Sequence, residues 1–112
     1  MNTTRKIRPE EIKLVAFLLE KCDSTPEEYP IAEHVYEYEG GVMGSIHFTG
    51  SDPDAYDVDL IQAEYVDADG VEVVISLTRD KSMRLLDLDF WKKDFSNLIR
   101  YPSPESLGLL RK

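Results

Sequence analysis

The sequence predicts an α+β fold, with one N-terminal helix on one face of a five-stranded antiparallel meander. Three observations carry this. Apolar residues recur at helical spacing only near the start of the chain. From about residue 32 to Trp91 the period changes to two. The connections between successive strands are short, as antiparallel neighbours require.

The helix is expected over about 9–22. Pro9 suits the first helical position, where its missing N–H has no partner to lose, and Glu10 and Glu11 lie where the helix dipole favours acids. Ile7 and Ile12 have the spacing of a hydrophobic staple around a cap at Arg8. Ile12, Val15, Ala16 and Leu19 form the expected buried stripe, widened by Leu18 and Phe17. DSTPEEYP, residues 23–30, ends the helix in a loop.

Strands are expected at about 32–39, 42–48, 58–66, 71–78 and 84–91, with an irregular segment over 92–112. A two-residue Gly40-Gly41 turn would set Tyr36 opposite Ser45 and His34 opposite His47. For the third and fourth strands a two-residue turn would put Glu64 on the apolar face. A three-residue turn with Gly70 left-handed instead sets Tyr65 opposite Val73, Ala63 opposite Ile75 and Ile61 opposite Leu77. Leu86, Leu88 and Phe90 would join that apolar face. Glu64, Gln62, Glu72, Ser76, Thr78, Asp87 and Asp89 would point away from the helix, with Val74, Leu85 and Trp91 among them.

The 112 residues suit one domain, spanning 1–112, and 42% hydrophobic content can bury a core. The 22 acids against 13 bases give a net charge of −9, which argues against nucleic acid and anionic lipid as partners and leaves a basic protein partner compatible. The charge also serves solubility. No stretch reaches the roughly 20 apolar residues of a membrane span, and the N-terminus lacks a signal-peptide core. The single cysteine, Cys22, excludes an internal disulfide; cytoplasmic residence is expected.

Catalytic patterns are sparse, so the reading leans away from an enzyme and names no cofactor. Cys22 falls at a helix C-terminus, which disfavours a thiolate, and the serines fit no nucleophile elbow. His34 and His47, as cross-strand neighbours about 5 Å apart at Cβ, are the weak metal candidates, although a site needs three or four ligands. Asp67-x-Asp69-Gly70 has the start of a calcium loop, but hairpin chemistry explains it. The acidic loop over 52–59 fits a solvated connection.

The outer sheet face is the candidate partner-binding surface, through Trp91, Asp87, Asp89, Glu64 and Glu72, because tryptophan is favoured as an interface anchor. Phe95, Leu98, Ile99 and Tyr101 need burial, which favours a strap folding back over Trp91. A bare Trp91 among acids would instead be an anchor. The functional expectation is a non-enzymatic acidic interaction module, in one version an immunity-type or antitoxin-like inhibitor masking a basic toxin site. The alternative is a small-molecule or metal-dependent site around His34 and His47. A homodimer through an exposed edge strand, with the first strand as candidate, is a further expectation.

One segment carries a resemblance. LDLDFWKKDFSNLIRYP is similar to the C-terminal motif of a family of small uncharacterised bacterial proteins known as a domain of unknown function. The matching residues are Asp87, Leu88, Asp89, Phe90, Trp91, Lys92, Asp94, Phe95, Ser96, Leu98 and Pro102. Weaker likeness takes in Arg8, Glu11, Leu18-Leu19, GGVMGSI at 40–46 and DADGVEV at 67–73. The family tends to place a glycine before the fifth strand, where this chain has Lys81-Ser82-Met83, which implies a differently shaped turn. The resemblance implies no activity, cofactor or catalytic residue.

Overall fold

Helix α1 runs Pro9–Lys21, starting at the expected proline. Its buried residues are Glu11, Leu14, Val15, Leu18 and Leu19, a continuous stripe at helical spacing. Ile12 lies off that stripe and is exposed, so it does not join Ile7 in the core. Glu11 sets this rotation. Its carboxylate accepts the Arg8 N–H (2.8 Å) and both Nη groups of Arg5 (2.9 and 2.7 Å). A charged residue so paired can enter the interface and take Leu14 with it.

The computed structural model describes residues 4–38 and 43–111. Among them are seven strands in one antiparallel sheet, rather than five: β1 Thr4–Lys6, β2 His34–Glu37, β3 Ile46–Phe48, β4 Tyr56–Val66, β5 Glu72–Asp80, β6 Leu85–Lys92 and β7 Gly108–Arg111. The order is β1-β2-β3-β6-β5-β4-β7, so the sheet is not a simple meander. β6 lies between β5 and β3 instead of at an edge. This placement joins Ile46, Leu88, Leu77 and Ile61 in one buried row across four strands. β2 is not an edge either, since β1 pairs with it along Thr4↔Tyr36 to Lys6↔His34.

The β4–β5 register is the expected one, with Tyr65↔Val73, Ala63↔Ile75 and Ile61↔Leu77. Gly70 has φ +82°, and Asp67 and Val71 close the three-residue turn. Between β5 and β6, Met83 adopts φ +65°, and Asp80 Oδ1 accepts the N–H groups of Ser82 and Arg84. A register shift follows between Leu77 and Arg79. Leu85 therefore enters the main core cluster, and Leu86 is buried outside it, the reverse of the expected assignment.

The β2–β3 pairing is displaced by two residues from the expected register. Tyr36, not His34, faces His47, and the His34 carbonyl accepts the Thr49 N–H and hydroxyl. Gly44, at φ +95°, leaves strand geometry, so pairing begins later than a two-residue turn would allow. The Gly40-Gly41 turn itself lies outside the described residues.

Candidate functional site

Strand β6 sorts the C-terminal motif by parity. Leu88, Phe90 and Lys92 are buried on the helix side; Asp87, Asp89 and Trp91 reach the other face. Of the residues after β6, Tyr101 packs over Phe90, and of the expected strap only Phe95 stands beside Trp91. Tyr101 packs on Phe90 at 5.4 Å between ring centroids, and the Tyr65 hydroxyl donates to the Arg100 carbonyl (2.8 Å). Apart from Phe95, the expected strap thus leaves Trp91 uncovered. Leu98 joins the core, while Ile99 stays exposed.

Lys92 fastens that segment. Its ammonium is fully buried and has three hydrogens for three acceptors: Asp67 Oδ2 (2.9 Å), Asp69 Oδ2 (2.7 Å) and the Asn97 carbonyl (2.9 Å). Asp67 also accepts the N–H groups of Ala68, Ile99 and Arg100. Burial alone would raise the Asp67 carboxyl; the Ile99 N–H, Lys92 and the other two N–H groups outweigh it and bring the carboxyl down to about 2. The calcium-like DADG stretch is half of this clasp.

On the outer face, Asp87 gathers a polar network. Its Oδ1 accepts the Tyr38 hydroxyl (2.7 Å) and lies 2.9 Å from His47 Nδ1. Burial, and then the bond to Asp87, holds the Tyr38 hydroxyl above its ordinary range. Ser45 donates to Asp89 (3.1 Å) and accepts the Phe90 N–H (2.8 Å). Ser51 Oγ stands 3.3 Å from His47 Nε2 but donates to the Phe48 carbonyl at 2.8 Å. The serine, histidine and aspartate have the order of a nucleophilic triad, yet the serine hydrogen is committed to a carbonyl.

Trp91 is 48% exposed and Phe95 71%. Their rings stand 6.3 Å apart, tilted by 56°. Phe95 has φ +61°, a conformation that a bulky side chain rarely takes. Its N–H donates to the Lys92 carbonyl, and Asp94 Oδ1 accepts the N–H and hydroxyl of Ser96 around it. The Asp94-Phe95-Ser96 turn therefore holds an aromatic ring out at the rim. Below it, Tyr38, Met43, Asp87, Asp89, Trp91 and Phe95 line an open hollow of about 510 Å³. A second hollow, of about 430 Å³, shares Tyr38 and includes Tyr36, His47 and Ser51.

Glu64 lies in the same cross-strand row as Val74 and Trp91, and Glu72 pairs with Lys93. The expected acidic face is thus assembled around Trp91. The two histidines separate: His47 is buried in the Asp87 network and His34 is exposed. No group of three His, Cys, Asp or Glu side chains able to hold a metal occurs among the described residues. Sequence reasoning missed Tyr38, Ser45, Ser51 and Phe95 as parts of this face, and Lys92 as the clasp. A lysine in phase with Leu88 and Phe90 was the one available signal.

A family model described as a domain of unknown function (DUF6984) matches residues 4–102. The chain belongs to that family. The match includes the clasp, both hollows and the Trp91–Phe95 rim, and stops before β7. No curated protein and no solved structure matches the chain. No helix among the described residues is long and apolar enough to cross a membrane.

Proposed function

We propose that this family member is a protein-interaction module that docks a basic partner on its outer sheet face. The observation that carries this reading is Phe95, held in a left-handed conformation and exposed beside Trp91, above the carboxylates of Asp87 and Asp89. Strained, exposed aromatic residues cost stability, and such strain concentrates where a ligand is met. Tryptophan supplies an anchor, and the acids supply steering toward a basic surface. The immunity-type version, in which this face masks a basic toxin site, fits the same arrangement and the net charge of −9.

The test is association with a basic partner from the native host. Binding should weaken as salt rises and should be lost in a Trp91→Ala, Phe95→Ala double variant that keeps the wild-type circular dichroism. Salt-independent binding that survives the double variant would count against this reading. A second reading, a small molecule held beside His47, is favoured by the 430 Å³ hollow among Tyr36, Tyr38 and Ser51. Ligand-induced perturbation of the His47 ring resonances would detect it, and metal content of the purified protein tests its metal-dependent form.

A further inference from the structure

We infer that the hollow under Trp91 and Phe95 takes a guanidinium group, the side chain of an arginine on the partner; this rests on the docking reading above. Two kinds of wall meet there. One is aromatic: the half-exposed indole of Trp91 and the outward ring of Phe95. The other is anionic. Both recorded bonds to the Asp87 carboxylate, from Tyr38 and His47, fall on Oδ1. Among the described residues no hydrogen bond falls on its Oδ2. Asp89 follows two residues along the same strand face and lines the same hollow.

An apolar side chain would satisfy the rings but take two carboxylates further out of water with no positive charge to offset the loss, at a cost in binding. A compact ammonium would satisfy the acids but is strongly hydrated and cannot stack. A guanidinium is planar, weakly hydrated and always charged, so it can lie on an indole face while its edge donates to a carboxylate. The hollow offers those two contacts side by side.

Trp91 is the chain's only tryptophan, so its fluorescence reports on this hollow alone. The probes are acetyl-arginine amide, its lysine counterpart and its neutral isostere acetyl-citrulline amide, titrated into the intact protein at constant ionic strength through the millimolar range. The arginine probe should give a saturable change, about tenfold tighter than lysine, with none from citrulline. Asp87→Asn and Asp89→Asn should each weaken it severalfold. Asp89→Asn serves as the check that leaves the Tyr38–Asp87–His47 bonds in place. A flat arginine titration, an equal response to lysine or citrulline, or an arginine response unchanged in both variants overturns the inference. If it fails while partner association still depends on Trp91 and Phe95, the docking face stands without the guanidinium. If both fail, the docking face falls too.

Discussion

The clasp and the outer hollow share strand β6 and each contains a pair of aspartates, but they treat charge oppositely. Lys92 and Asp67 are buried, and with Asp69 at the surface they form a cluster in which every ammonium hydrogen has an acceptor. One residue away, Trp91 is half bare, and Asp87 and Asp89 line an open hollow. Charge that is fully paired inside fixes the path of residues 97–100 over Phe90. On the proposed docking reading, charge that lines an open hollow among aromatic rings serves recognition. The contrast implies that stability and partner binding respond to different halves of one alternating motif.

The sharpest way to break that division is Asp67→Ala. It takes the buried carboxylate from the Lys92 ammonium, leaving Asp69 and the Asn97 carbonyl, and removes the acceptor for three backbone N–H groups. Losing one partner of a buried pair costs about 3–5 kcal/mol, which a lowered urea midpoint would show. If the clasp only decorates the surface, the midpoint will barely move.

Acid sharpens the same point through Asp67→Asn. The Asp67 carboxyl is lowered from 3.8 to about 2 in the folded chain. A depressed carboxyl contributes its full stabilisation above the unfolded value and loses it as pH falls through the folded one. The stability gap between wild type and Asp67→Asn should therefore be constant at neutral pH. It should begin to close near pH 3.8 and should shrink toward pH 2. Urea titrations at stepped pH would measure it; a gap independent of pH would mean the carboxylate charge contributes nothing.

How far this division was legible beforehand depends on the kind of signal. Period-two alternation placed Asp87, Asp89 and Trp91 on one face and Leu88 and Phe90 on the other, because a strand has no freedom to do otherwise. The β4–β5 turn was readable because one register buries an acid and the other does not. β1 and β7 were not readable: each is short, and Arg5 holds β1 through Glu11 and Glu37 rather than through any apolar pattern. The neighbours of β6 were hidden as well, since local alternation is indifferent to which strand lies beside it. Phe95 carries no glycine or asparagine signature for its left-handed backbone, so only its surroundings reveal it.

Phe95→Gly tests the outer half with the opposite sign. Glycine takes φ +61° freely, so relief of the left-handed strain should raise stability by about 1 kcal/mol. Partner association should fall at the same time. A variant that is both less stable and still competent in binding would make Phe95 a packing residue and move it to the clasp side of the comparison.

The smallest stability effect belongs to Asp89→Asn. The change is nearly isosteric, the Ser45 hydroxyl keeps an oxygen to donate to, and residue 89 is exposed. Surface substitutions of this kind fall within about 0.5 kcal/mol, so thermal and urea midpoints should stay close to wild type. Its effect on binding should be larger than its effect on folding, because removing one negative charge at the hollow weakens attraction to a basic partner and flattens the salt dependence. Association measured at two salt concentrations separates the cases. A midpoint shift as large as that of Asp67→Ala would show that Asp89 is structural, and the two faces of β6 would then do the same job.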